Sequence, residues 1–212
     1  LPKNIGTVIV KHANPCGVSI HKDQVESYKS AFACDPISSF GGIVCCNYKV
    51  KKKLANELSK IFYEVIIANG FEKDALKILK KKKNLRIIDA NNLNISKINS
   101  FTSGYNSILV QSSDTNKIKK NNFKIVSKIK PTQHQLNDLL FAFNVCKYTK
   151  SNAIVIAGNK STLGIGSGQP SRLDSCKIAI EKMNKFNSKK FMNSVAASDA
   201  FFPFVDGIET LV

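Results

Sequence analysis

The stretch 42-GIVCCNYKVKKKLANELSKIFYEVIIA-68 decides the fold class. It opens on an apolar run, Ile43 to Cys46, and closes on another, Val65 to Ala68, with a helix-period stretch between them. Short apolar runs bounded by turn residues read as strands, and a longer amphipathic stretch reads as a helix. Strand, helix and strand in that order form the unit of a parallel sheet with a crossover helix. The same alternation predicts strands near 5–10, 42–46, 64–68, 85–89, 107–111 and 153–157. Helices are expected near 24–33, 49–61, 73–82, 133–148 and 170–185. The fold class is therefore α/β, with a largely parallel sheet. The clearest helix is the fourth, which starts at Pro131 and Thr132 and carries Leu136, Leu139, Leu140, Phe143, Val145 and Cys146 at helical spacing. A polar stretch from Asp89 to Ser103, rich in Asn and Ser, divides the chain into halves of 1–100 and 101–212.

A chain of 212 residues, 43% hydrophobic, is long enough to bury one large core or two small ones. Its apolar runs fall far short of the roughly 20 residues that a membrane-spanning helix needs. Residues 1–20 lack the charged, apolar and small-residue succession of a secretory peptide, so a cytoplasmic chain with no membrane partner is expected. The net charge of +17 invites a nucleic-acid reading. Its distribution speaks against one. Lysines gather at 51–53, at 80–83 and at 117, 119 and 120, few aromatics are interleaved, and Arg86 and Arg172 are the only arginines. Most of this charge reads as solvated surface, written by a composition crowded with Lys, Asn and Ile. A basic field still steers anionic small molecules. The six cysteines form no C-x-x-C pair and no cluster at metal-ligand spacing, which argues against structural zinc. Cys45 and Cys46, adjacent within an apolar run, read as small buried side chains of a reducing compartment.

Four segments are unusual for structure and sensible for chemistry. Lys11-His12-Ala13-Asn14-Pro15-Cys16-Gly17 follows the first strand directly, where ligands gather in open α/β sheets. There an imidazole can take a proton while an ammonium stabilises developing negative charge. The bland alternative is a decorated surface loop, against which Pro15 and Gly17 suggest a fixed turn. Asp35-Pro36-Ile37-Ser38-Ser39-Phe40-Gly41-Gly42 is either a turn allowing close ligand approach or a plain helix-to-strand connection. Lys147-Tyr148-Thr149-Lys150-Ser151-Asn152, followed by a strand and then Gly164-Ile165-Gly166-Ser167-Gly168-Gln169-Pro170-Ser171-Arg172, offers backbone N–H groups and a forked cation to an anion. It matches neither P-loop nor dinucleotide spacing, and a flexible capped turn is its alternative. Ala197-Ser198-Asp199-Ala200-Phe201-Phe202-Pro203-Phe204, with Asp206 beyond, either belongs to the core or walls a slot for a flat heteroaromatic ring.

In order and spacing, these four segments together resemble the transformylase domain of the bifunctional AICAR transformylase/inosine monophosphate cyclohydrolase family, across essentially the whole chain. The resemblance implies a cytidine-deaminase-like α/β/α fold in two subdomains, without that fold's zinc. It implies transfer of a formyl group from 10-formyltetrahydrofolate, as co-substrate, to the 5-amino group of the aminoimidazole carboxamide ribonucleotide (AICAR). By the same resemblance His12 accepts the proton and Lys11 stabilises charge or helps the leaving amine. Gly41, Glu64, Asn152, Arg172 and Phe201 hold the ribonucleotide, Asp206 meets the folate ring, and no metal takes part. Family members are homodimers whose transformylase sites use residues of both subunits. The chain is expected to be a fragment lacking the cyclohydrolase domain and the family's C-terminal end, and Pro170 and Asn69 depart from the usual family residues. A non-catalytic remnant that keeps dimer contacts, or a basic nucleic-acid-binding module, are the competing readings.

Overall fold

The computed structural model describes residues 5–93, 99–116 and 118–212. Lys117 and the middle of the polar 89–103 stretch lie outside the described residues. The chain runs β1 (Gly6–Lys11), β2 (Asn14–Ile20), α1 (Gln24–Phe32), α2 (Pro36–Ser39), β3 (Ile43–Cys46), α3 (Lys52–Leu58), β4 (Val65–Ala68), α4 (Lys73–Leu79) and β5 (Arg86–Asp89). It continues through β6 (Ser100–Gly104), β7 (Ser107–Gln111), α5 (Gln133–Cys146), β8 (Ile154–Gly158), β9 (Ser161–Gly166), α6 (Arg172–Asn187), β10 (Val195–Ser198) and α7 (Asp206–Leu211). Eight strands form one sheet in the order β10-β8-β9-β2-β1-β3-β4-β5, and β6 and β7 pair separately.

The α/β class and every predicted strand and helix are present, but the expected parallel character holds only at one end. Pairings β3–β4 and β4–β5 are parallel. From β10 through β8, β9, β2 and β1 to β3 each neighbour is antiparallel. Hairpins account for the difference. His12 and Ala13, with φ of 50° and 60°, connect β1 to β2, and Asn159 and Lys160, with φ of 50° and 54°, connect β8 to β9. Two successive residues at positive φ give the turn whose twist matches antiparallel strands. The buried Asp138 of α5 secures the second turn by accepting from the N–H groups of Asn159 (2.9 Å) and Lys160 (2.8 Å).

Strands β2 and β9 were masked in the sequence by residues that elsewhere signal turns. Pro15 sits opposite Val10 at a register shift, where the ladder needs no donor from it. The expectation that Pro15 and Gly17 shape a turn is thereby corrected, since both lie within β2 and the turn belongs to His12 and Ala13. Gly17, Gly164 and Gly166 serve close packing of helix on strand. A Cβ at these positions would stand 1.9 Å from the Ala31 carbonyl oxygen, 2.0 Å from that of Ala179 and 1.9 Å from that of Ser175, respectively.

The layers follow from burial. On one face α1, α3 and α4 cover Ile9, Val44 and Ile66 with Tyr28, Leu54, Leu58 and Leu79. Helix α6 continues that layer over Ile154, Ile156 and Leu163 with Cys176, Ala179 and Met183. On the other face α5 packs Phe141, Ala142 and Val145 onto Val18, Val155 and Ile165. This is an α/β/α arrangement, and both halves of the chain share its single sheet through the contact of β2 with β9. All six cysteines are free thiols, five of them buried. No helix of the described residues is long and apolar enough to cross a membrane.

Replacing Gly166 by Ala should force α6 off the sheet and destabilise the fold by about 3 kcal/mol, the upper range for overpacking. Gly104→Ala, where an added Cβ meets nothing within 4 Å, should leave stability nearly unchanged. Equilibrium denaturant unfolding of the two variants would measure the contrast, and equal losses would refute it.

Candidate active site

The pairing registers bring every singled-out segment to one edge of the sheet. Lys11 and His12 end β1, Asn14 begins β2, Gly42 precedes β3 and Glu64 precedes β4. Asn152 precedes β8, Gly166 ends β9 and Ser198 ends β10. The residues along that edge form two groups.

The first group is built on the β1–β2 turn. His12 and Ala13 occupy the left-handed backbone region, uncommon for residues with a Cβ and costing of order 1–2 kcal/mol each. The surrounding structure holds them there. Asn14 donates from Nδ2 to the His12 carbonyl at 3.3 Å and accepts the Lys150 N–H on Oδ1 at 2.9 Å, tying the turn to the segment before β8. The imidazole of His12 is exposed at the tip. Lys11 turns inward, its ammonium donating to the Phe40 carbonyl at 2.7 Å. Phe40 closes α2, whose first turn is capped by Asp35 accepting from the Ser38 N–H at 2.9 Å. Gly41 follows with a φ of 70°, which favours glycine, and donates its N–H to the Phe62 carbonyl at 2.9 Å. The rings of Phe40 and Phe62 pack at 5.5 Å between centroids. Beside them lies a cavity of about 410 Å³ lined by Phe62, Glu64, Lys83 and Arg86, and Glu64 pairs with Arg86 at 2.9 Å. Cys16, two residues past Asn14, is no nucleophile: burial and then the nearby Asp35 carboxylate push its thiol up to about 11.

The second group centres on Arg172, the first residue of α6. Its Nη1 donates to Asp199 Oδ1 at 2.6 Å and to Ser198 Oγ at 2.7 Å, and its Nη2 donates to Asn152 Oδ1 at 2.6 Å. Asn152 spends its two amide protons on the carbonyls of Gln169 (2.9 Å) and Pro170 (2.8 Å). Asp199 accepts further from Ser151 Oγ and from the Ala153 N–H at 3.0 Å. Burial alone would raise the Asp199 carboxyl, but the hydrogen bonds from Arg172, Ser151 and the Ala153 N–H outweigh it and hold the group below its ordinary value. The Phe202 ring stands 5.9 Å from the guanidinium carbon and packs on Gly207, next to Asp206 at the start of α7. Phe201 is 80% exposed. The largest cavity among those described, about 1050 Å³, lies on the α5 face beside the hairpin, lined by Val8, Val10, Pro15, Leu140 and Tyr148 among others.

Lys11, His12, Gly41 and Glu64 thus gather at the β1–β3–β4 side, and Asn152, Arg172, Phe201 and Asp206 at the β8–β10 side. Between β4 and β8 the sheet order sets five strand spacings, about 24 Å at the usual separation. The glycine run expected to present N–H groups is divided, Gly164 and Gly166 meeting α6 backbone and Gly168, with a φ of 69°, remaining in the loop. The sequence pointed to no role for Asn14 or Phe62. Asn14 sat inside a singled-out segment, whereas nothing in the pattern around Phe62 distinguishes it from a core residue.

Residues 2–182 match the family model described as the AICARFT/IMPCHase bienzyme. The bifunctional purine biosynthesis protein PurH of Acetivibrio thermocellus is 43% identical over 206 residues, which are 95% of this chain and 39% of that protein. The protein of the same name from Thermoanaerobacter sp. is 45% identical over 210 residues, 99% of this chain and 40% of the relative. That of Caulobacter vibrioides is 44% identical over 202 residues, 94% of this chain and 38% of the relative. The chain spans about two fifths of the length of the curated relatives it matches.

Asp199→Asn should cost roughly 2 kcal/mol at pH 7, the range for hydrogen bonds to a charged group. Because the folded carboxyl titrates below its unfolded value of about 3.8, this stabilisation is complete above that pH and fades as pH falls through the lowered folded value. Denaturation of parent and variant from pH 7 to pH 2 should therefore converge at the acid end. A gap that stays constant would mean the carboxylate charge is not what Arg172 senses.

Proposed function

Because the chain belongs to the AICARFT/IMPCHase bienzyme family, we propose that it carries the formyltransferase chemistry of purine biosynthesis, moving a formyl group from 10-formyltetrahydrofolate to the 5-amino group of AICAR. The observation that carries this reading is the hairpin tip. An exposed imidazole in a held left-handed turn directly follows in sequence a lysine whose ammonium is fixed by a backbone carbonyl. These two groups suit acyl transfer between amines. The substrate amine attacks the formyl carbon, and a tetrahedral intermediate forms with negative charge on the former carbonyl oxygen. His12 takes the proton that the attacking nitrogen loses. Lys11 keeps one N–H on Phe40 and has two others to stabilise the oxyanion or to protonate the departing folate nitrogen. The C–N bond to the folate breaks, leaving tetrahydrofolate and the formylated ribonucleotide.

Substrate would be shared between the two groups of residues. Gly41 and Glu64 would meet the ribonucleotide beside Lys11, and Asn152, Arg172 and Phe201 would bind it from the other group, with Asp206 on the folate ring. Arg172 has N–H groups left beyond its three internal bonds, and Asn152 would act chiefly by setting that guanidinium. Lys11 on β1 lies three strand spacings, about 14 Å, from β8, but Glu64 at β4 lies five, about 24 Å, a gap that exceeds what one mononucleotide spans. In our reading a second copy closes it, its Arg172 group facing the first copy's Lys11 group, in a cytoplasmic homodimer. The exposed lysines would steer the anionic substrates toward this edge, without nucleic acid, membrane or metal as a partner. Among the described residues no group of three or more His, Cys, Asp or Glu could hold a metal ion.

Release of tetrahydrofolate from 10-formyltetrahydrofolate in the presence of AICAR tests the activity. His12→Ala should lower it on the order of 10²–10⁴-fold, the usual contribution of a general base, with the circular dichroism spectrum unchanged. Retained transfer would remove His12 from the mechanism. A shared site makes a further demand. Mixing and reassociating His12→Ala with Arg172→Ala should recover about a quarter of parental activity, because half the dimers are mixed and each then holds one intact site. No recovery would place both residues in a site built by one chain.

A further inference from the structure

Asp35 is 3% exposed, yet it is charged and sits at the head of a helix of only four residues. A neutral Ser or Asn would cap such a turn without burying a charge. Its second oxygen explains the choice. Oδ1 accepts from the Ser38 N–H at 2.9 Å, while Oδ2 accepts from Ser38 Oγ at 2.7 Å and from the Lys182 ammonium at 2.8 Å. Lys182 arrives from α6, ten residues after Arg172 and so about 15 Å further along that helix. Five residues beyond it, Asn187 donates to the Ala33 carbonyl at 2.8 Å, gripping the chain just before Asp35. Helix α6 thus holds the α1–α2 junction at two points. What that junction delivers is the Phe40 carbonyl, which receives the Lys11 ammonium at 2.7 Å.

We propose that Lys182 and Asp35 are a positioning pair: the ion pair between α6 and α2 fixes the Phe40 carbonyl and, through it, the ammonium of Lys11. The proposal rests on the reading of Lys11 as a group that acts on the transferring formyl. It assigns α6 a second task besides presenting Arg172, and it makes the Asp35-Pro36-Ile37-Ser38-Ser39-Phe40 segment a bracket for Lys11. The bracket is a chain of direct contacts from Lys182 Nζ to Asp35, from Asp35 to Ser38, and from Phe40 to Lys11 Nζ. Breaking it at Lys182 leaves a buried carboxylate that must find water, and the four-residue turn is the cheapest element to move.

The test compares the chain with Lys182→Met and Lys182→Arg, each labelled with ¹⁵N-lysine. Hydrogen-bonded ammonium protons exchange slowly enough to be seen, so the parent should show a Lys11 ammonium resonance, assigned by its loss in Lys11→Arg. Lys182→Met should lose it and Lys182→Arg should keep it, while the Lys60 resonance, paired with Glu57 on α3, follows neither change. In the transfer assay Lys182→Met should lower kcat about tenfold with KM within about twofold, the signature of misplacement and not of weakened binding. If Lys182→Met does not fold, Asp35→Asn, which keeps the cap to Ser38 and deletes the charge, carries the same comparison. A folded Lys182→Met or Asp35→Asn with an unchanged Lys11 resonance overturns the proposal. So does a parent lacking that resonance, or a variant that raises KM and keeps kcat. A parent chain with no transfer activity would count against the proposed function, while the resonance comparison would still decide the positioning pair.

Discussion

The close approach of α6 to β9 is the contact on which the rest of the arrangement depends. Two strand positions without a Cβ, Gly164 and Gly166, let the helix backbone come within van der Waals distance of the sheet. At that separation Arg172, in the first turn, reaches Asn152, Ser198 and Asp199 across β8 and β10. In the last turns Lys182 and Asn187 reach the segment between α1 and α2. A helix held further out would lose both sets of contacts together, because its side chains have fixed lengths and its axis is rigid over its 16 residues.

Around this axis the sheet edge is organised by satisfying charge locally. Arg172 is largely buried and is met by a carboxylate and two neutral oxygens, an arrangement that leaves neither its charge nor that of Asp199 unpaired. Lys11 gives one proton to a carbonyl and keeps the others, so its charge remains available at the edge. His12 stands at the tip of a turn whose backbone cost is carried by the eight-stranded sheet below it. The positive net charge of the chain therefore divides into two kinds. A few cations are fixed by specific partners, and many lysines on α3, α4 and the loops lie exposed in water, as the scarcity of aromatics and arginines among them had suggested.

Much of this was legible in the residues. The apolar runs near 42–46, 64–68 and 153–157 became strands and the capped, amphipathic stretch after Thr132 became α5, because burial on one or two faces leaves a period in the sequence. The four odd segments were also visible, since Lys-His, paired glycines and a Phe-Phe-Pro-Phe run stand out by residue type, with a packing reading left open beside the chemical one. Strands β2, β6, β9 and β10 were not visible. Pro15, Gly17, Gly164 and Gly166 carry turn signals that strand context overrides, and the short or polar runs of β6 and β10 offer no apolar period to read.

The sequence by itself determined the α/β class and the main elements, since these depend on local period, and it singled out four candidate segments by their residue types. The tertiary structure alone decided that the sheet is antiparallel over most of its width, because strand direction follows from two-residue turns at positive φ that His12-Ala13 and Asn159-Lys160 do not announce. It alone also decided that Lys182 meets Asp35, that Asn14 meets Lys150 and that the candidate residues fall into two groups along one edge. Contacts between residues far apart in the chain leave no period in the sequence, and they exist only once the sheet order and the seating of α6 have set the distances.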